Sequence, residues 1–151
     1  MQRELPKLNF PPINIRARRS SDIISVWDPL RRCYLVLTPE EWVRQHVNAF
    51  LQSHLGVQPL HILLEHPVSL NGQSQRADVV VVDRSGTPRI LVECKAPEVK
   101  ISQSTLDQAV RYNSVVRAQY IILTNGLSHF IYELIEGGGY RALSSLDKVD
   151  L

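Results

Sequence analysis

Asp78, Glu93 and Lys95 are the residues of this chain whose types and spacing suit hydrolysis of a phosphodiester. Asp78 opens an apolar run, Val79 to Val82, and Glu93-Cys94-Lys95 closes a second run, Ile90 to Val92. The stretch between them, Asp83 to Pro88, is turn chemistry. A hairpin of the two runs sets the start of the first beside the end of the second, so Asp78 lies next to Glu93 and Lys95. Side chains alternate along a strand, so Glu93 and Lys95 share one face and Cys94 takes the other. Mg²⁺ is commonly held by one or two carboxylates plus water and phosphate oxygens. It polarises the phosphate and lowers the pKa of its water. A lysine beside it can orient the attacking water or stabilise charge on the phosphoryl oxygens. The competing reading is a solvated ion pair at a sheet edge, worth little. A charged pair directly after Ile-Leu-Val, opposite an Asp that starts a four-valine run, favours the site.

The elements that must position these residues follow from periodicity and turn signals. Ile23 to Trp27 and Cys33 to Leu37 read as a hairpin around Asp28-Pro29-Leu30-Arg31, with Arg31 and Arg32 flanking the turn and expected to be exposed. Thr38-Pro39-Glu40-Glu41 starts a helix: Thr38 caps, Pro39 suits the first position and Glu41 completes a capping box on the polar side. Trp42, Val43, Val47, Phe50, Leu51 and Leu55 follow at helical spacing, and Gly56 stops the helix. Glu40 falls on the side of Val43, Val47 and Leu51, where it either reaches toward the strand-end acids or favours the helix dipole. Leu60 to Leu70 reads as a strand bent or edge-placed because of Pro67. Ser102 or Ser104 caps a second helix running to about Arg117, which sets Gln108 and Tyr112 on one face at i and i+4. Tyr120 to Thr124 reads as a central strand, and Phe130 to Leu134 as the last one. A helix between the Ile90–Lys95 and Tyr120–Thr124 strands predicts a parallel pair in a mixed sheet.

The 151 residues are expected to make one domain. Residues 1–20 are read as an extended arm, 21–136 as the folded unit, and 137–151, after Gly137-Gly138-Gly139, as a tail. Arg16, Arg18 and Arg19 in the arm either contact phosphates or belong to a solvated tail. The composition, 44% hydrophobic and 21% charged, is that of a soluble globular chain. A net charge of +2 and pI near 8.7 exclude a dedicated nucleic-acid coat and leave only a local basic patch. Two distant cysteines, Cys33 and Cys94, make neither a metal motif nor a disulfide framework and suit a reducing cytoplasm. The five histidines show no ligand spacing. No stretch suits a signal peptide or a membrane span.

Taken together, Asp78 with Glu93-Cys94-Lys95 resembles the PD-(D/E)XK nuclease motif, and Gln108 to Tyr112 resembles its QxxxY element. Trp27-Asp28-Pro29, Leu37 to Gln45, Arg76-Ala77-Asp78, Glu93 to Pro97, Gln108 to Asn113 and Leu123 to Gly126 resemble, within that superfamily, the type I restriction enzyme R-protein N-terminal domain family. The resemblance implies an α/β fold: a restriction-endonuclease-like αβββαβ core with a mixed central sheet, preceded by the N-terminal β-hairpin. It implies Asp78 and Glu93 as ligands of Mg²⁺ (or Mn²⁺), Lys95 acting on the attacking water, and Glu40 as the helix-borne acid completing the catalytic set. Gln108 is implied to assist there, with Tyr112 and Arg76 placing DNA. Ala77 stands where the superfamily name has proline.

Three functions compete. The first is a metal-dependent DNA endonuclease, acting with restriction-modification or repair subunits and as a possible homodimer. The second is a non-catalytic nucleic-acid-binding or assembly module on the same fold. The third, acid–base chemistry on a small molecule, lacks a nucleophile pair or cofactor loop. The sequence contains no P-loop or motor, so restriction coupled to translocation is expected to require other polypeptides.

Overall fold

The computed structural model describes residues 4–147. Residues 1–3 of the expected arm and 148–151 of the expected tail lie outside the described residues. Strands β1 (Ala17–Ser20), β2 (Ile23–Asp28) and β3 (Cys33–Val36) form a small antiparallel sheet. Helix α1 (Pro39–Ser53) follows, then β4 (Ile62–Leu70), β5 (Gln73–Val82), β6 (Pro88–Cys94), helix α2 (Gln103–Val116), β7 (Tyr120–Thr124), β8 (His129–Leu134) and β9 (Tyr140–Leu143). Strands β4 to β9 make one mixed sheet whose spatial order is the chain order. Its one parallel seam joins β6 to β7 across α2, with Ile90 opposite Tyr120 and Cys94 opposite Thr124.

The two helices cover opposite faces of this sheet. Val43, Val47 and Leu51 of α1 pack on Val79, Val81, Ile90, Val92 and Ile122. Ala109 and Tyr112 of α2 pack on Val80, Leu91, Ile121 and Leu123. Burial on both faces explains the unbroken valine run of β5. Asp83 closes the β5–β6 turn: one of its carboxylate oxygens accepts from the Ser85 and Thr87 N–H groups.

Both expected terminal segments contain a strand. Residues 17–20 of the arm are β1, adding a third strand to the expected hairpin with Ala17 opposite Val26. Its four residues are all exposed, so no apolar periodicity marks it. In the tail, the glycines turn the chain back instead of ending regular structure. Gly137 and Gly138 adopt positive φ, and β9 pairs with β8 from Leu134–Tyr140 to Ile131–Leu143.

The rest of the arm lies along the domain as an irregular segment. Asn9 N–H donates to the Gly126 carbonyl at 2.7 Å, and Trp42 Nε1 donates to the Pro6 carbonyl. Leu8 is buried against Gly126, where a Cβ would stand 2.7 Å from Leu8 Cδ2. Leu8→Ala is expected to cost about 2–4 kcal/mol by cavity formation. Urea unfolding checks this, and a loss below about 0.5 kcal/mol, the level of an ordinary surface change, would mean the segment is only loosely attached.

Candidate functional site

The hairpin of β5 and β6 pairs Val79 with Val92, Val80 with Leu91 and Val81 with Ile90. One step further along that register Asp78 meets Glu93, the juxtaposition expected from the sequence. Asp78 is held there by its own carboxylate, whose Oδ2 accepts from the Cys94 N–H at 2.8 Å.

The alternation of side chains slips at Asp78. Val79 and Val81 face α1 and Val80 faces α2, yet Ala77 faces α2 again. Strand β4 slips at the opposite position: Ile62 and Leu64 pack on the α1 side, whereas Val68 and Leu70 pack on the α2 side. The ladder runs from Leu64–Val79 to His66–Ala77 and is interrupted between them, where Glu65 adopts a φ of 50°. The slip lets Asp78 meet α1, where its Oδ1 lies 3.2 Å from Arg44 Nη2.

Glu93 is 4% exposed, and its Oε1 has no hydrogen-bond partner among the described residues. Burial and the nearby Asp78 carboxylate push its pKa up to about 8, against the pull of the Asp78 N–H and Lys95. Glu40 on the first turn of α1 is also raised, by burial and by Asp78, with Arg44 and Lys95 acting the other way. Burial raises the Cys94 thiol well above its ordinary value, which leaves it a core side chain. Glu40, Asp78, Glu93 and Lys95 therefore share one electrostatic environment. Lys95 is anchored through its N–H to the Thr124 carbonyl at 2.8 Å, and its side chain makes no ion pair among the described residues.

Gln108 and Tyr112 do share a face of α2, and Gln108 Nε2 donates to the Tyr112 hydroxyl at 3.1 Å. The hydroxyl in turn is 3.4 Å from Gln75 on β5. Among the described residues neither makes a hydrogen bond to Asp78, Glu93 or Lys95. Arg76 is exposed beside Asp78, with a 4.0 Å contact to Glu65 as its one ion pair among the described residues. Arg16 and Arg18 lie over aromatic rings of the small sheet: Arg18 is 3.9 Å from the Tyr34 ring centre and Arg16 is 5.6 Å from that of Trp27. Arg19 alternates to the other side of β1.

A buried ion-pair chain was not legible as part of the site. Arg44, 8% exposed, binds Glu40, Glu41 and Asp78. Burial opposes its charge, but Glu41 and Asp78 more than offset this and raise its pKa. Glu41 is buried, not on a polar face, and Thr38 Oγ1 caps its N–H as expected. Its carboxylate makes no reciprocal capping bond; it accepts from Arg31 Nη2 at 2.9 Å, Gln45 Nε2 at 3.0 Å and Arg44 Nη1. Arg31, expected to be exposed, is inserted between Glu41 and Asp28, with Nε 2.8 Å from Asp28 Oδ2. Asp28 Oδ1 caps the turn by accepting from the Leu30 and Arg31 N–H groups. The available signal was the i, i+4 and i, i+3 spacing of Arg44 from Glu40 and Glu41.

Among the described residues no three His, Cys, Asp or Glu side chains form a ready-made ion cage. The Asp78–Glu93 pair still fits a hard divalent cation, which takes one or two carboxylates and completes its shell with water and phosphate. The unpartnered buried oxygen of Glu93 is the feature such an ion would satisfy.

A family model described as type I restriction enzyme R protein N terminus (HSDR_N) matches residues 39–146. No curated protein matches the chain. Among solved structures, a fragment assigned to an HsdR subunit of a type I restriction enzyme from Vibrio vulnificus YJ016 aligns with a TM-score of 0.54 at 22% sequence identity. The alignment covers 74% of this chain and 24% of that one, so this chain spans about a quarter of the fragment. At this identity the likeness is one of fold.

Proposed function

The chain belongs to the family of type I restriction enzyme R protein N-terminal domains (HSDR_N), and from that premise we propose that it is a Mg²⁺-dependent DNA endonuclease domain of the PD-(D/E)XK kind. The observation that carries this reading is Glu93, a buried carboxylate with an unpartnered oxygen near the end of β6, set beside Asp78 within β5. Asp78 and Glu93 are the proposed ligands of Mg²⁺ or Mn²⁺. The ion, when bound, supplies charge neutralisation at the phosphate and a more acidic water. Lys95 orients that water for in-line attack and offsets charge on the phosphoryl oxygens. Glu40, on the α1 side of the same cluster, takes part in proton transfer or in positioning water. Gln108 and Tyr112 act from the α2 face, bound to each other and through the Tyr112 hydroxyl to Gln75, by steadying the strand that carries Asp78 and the incoming DNA. Arg76, Arg16, Arg18 and Arg19 contact phosphates.

The partners of this reading are DNA and other restriction-modification or repair subunits, and a homodimer would bring two such sites to two strands. The free cysteines suit a cytoplasmic setting, and none of the described helices is long and apolar enough to cross a membrane. A second reading, a nucleic-acid-binding module without turnover, is favoured by the ion pair that already occupies Asp78 Oδ1. Calorimetric titration of Mg²⁺ and Mn²⁺, paired with plasmid nicking, separates the two. The endonuclease reading expects metal binding and nicking in the wild type and loss of both in Asp78→Ala. Salt-dependent DNA binding without nicking under either metal would leave the module reading standing instead.

A further inference from the structure

The guanidinium of Arg44 already engages one of the two carboxylates proposed to hold a cation. Asp78 has two oxygens, and Oδ2 is committed to the Cys94 N–H at 2.8 Å. Oδ1 is the oxygen with no backbone donor, and Arg44 Nη2 is on it at 3.2 Å. The same Nη2 also meets Glu40 Oε1 at 3.1 Å. Nη1 is fixed to Glu41, itself steadied by Arg31 and Gln45. Nε is buried with no partner among the described residues. The guanidinium is thus pinned at one terminal nitrogen and shared at the other, with its Nε–H unpartnered.

We propose that Arg44 is a resident counter-ion that competes with a divalent cation for Asp78 Oδ1, and that the phosphates of bound nucleic acid draw it away. The proposal rests on the endonuclease reading and adds a control over when its site fills. Arginine remains charged at every working pH, so it cannot vacate Asp78 by losing a proton. It leaves only for another anion, and its planar fork matches two oxygens of a phosphate. The move is short, because Nη1 keeps Glu41 as a pivot while Nη2 exchanges one oxygen for another. Metal and nucleic acid then help each other to bind, and by linkage each tightens the other by the same factor. Without nucleic acid Arg44 partly offsets the negative charge of the site, which limits metal uptake.

The test is calorimetric titration of Mn²⁺ into the full chain, wild type and Arg44→Gln, alone and with a short DNA duplex built from hydrolysis-resistant linkages. Arg44→Gln is expected to bind Mn²⁺ about tenfold more tightly than wild type in the absence of DNA, within the usual range of coupling. The duplex is expected to tighten Mn²⁺ binding in wild type by a similar factor and to leave the variant unchanged. Arg44→Lys keeps a buried cation but cannot bridge Glu40 and Asp78 with a planar fork. It is expected to fall between the two, and it carries the test if thermal melting shows that the Gln variant does not fold. Equal or weaker Mn²⁺ binding in the variants, or a duplex effect that survives in them, overturns the role of Arg44 while the metal site stands. No Mn²⁺ binding in any of the three proteins, with or without duplex, overturns the metal site and this role together.

Discussion

Glu93→Gln is expected to give a protein that is more stable than the wild type and inactive. The carboxyl is almost wholly buried beside Asp78, and its pKa rises from 4.5 to about 8. Between those values the folded state holds a proton that the unfolded state has released. Stability therefore falls as pH rises through that window and levels off above it. Glutamine keeps the shape and has no proton to lose, so the variant's advantage should grow across the window to on the order of 1–3 kcal/mol near pH 8. The same substitution removes the charge needed to hold a metal ion, and nicking should fall by at least about a hundredfold. Thermal unfolding from pH 5 to 9, with plasmid nicking, tests both halves. A difference in Tm that does not change with pH would mean that Glu93 is ionised in the folded protein. Retained nicking would remove Glu93 from the site. A residue that lowers stability and holds a place in the reaction is the expected trade between the two.

Asp28→Ala should be the most damaging substitution outside the Asp78–Glu93 cluster. Asp28 is fully buried and accepts from the Leu30 and Arg31 N–H groups, from Arg31 Nε and from Gln45 Nε2. Removing it leaves Arg31 half-paired, with two turn donors unmet. Loss of one partner of a buried pair costs about 3–5 kcal/mol, because the remaining charge has no compensation. For a chain of this size that corresponds to a fall in Tm of about 10 °C. Because Arg31 also holds Glu41, and Glu41 holds Arg44, the loss should also loosen the guanidinium at Asp78. Urea unfolding measures the first effect. A cost under about 1 kcal/mol would show that water takes over the role of the carboxylate.

The part of the site carried by the β5–β6 hairpin was legible because two local signals agree there. The turn from Asp83 to Pro88 fixes where the chain reverses, and the apolar runs fix which residues face each other. That Gln108 and Tyr112 share a face of α2 was legible because i, i+4 spacing on a helix is independent of tertiary context. Arg44, Arg31 and Asp28 were not, because a charged residue on a helix or turn reads as solvated until its partner from another element is known. Glu41 shows this most directly: the same residue that looks like a capping acid spends its carboxylate on three side chains. The slip at Asp78 was hidden too. It inverts alternation in β4 and β5 together, and neither Ala77-Asp78-Val79 nor Glu65-His66-Pro67 announces it. β1 has no apolar face to reveal it, and β9 follows a glycine run that looks like an ending.

The chain order of the large sheet bears on how the protein folds. Its antiparallel ladders, β4–β5, β5–β6, β7–β8 and β8–β9, all close hairpins. Loop-closure entropy is small for such neighbours, so each three-stranded meander can form from local contacts. The β6–β7 seam alone spans a helix, and it brings Cys94 beside Thr124 with α2 packed across both halves of the sheet. The cost of long-range ordering is concentrated at that seam. Asp78 and Glu93 both sit on the first meander, so their juxtaposition belongs to a unit that can assemble early, while Lys95 gains its anchor at Thr124 only when the two halves join.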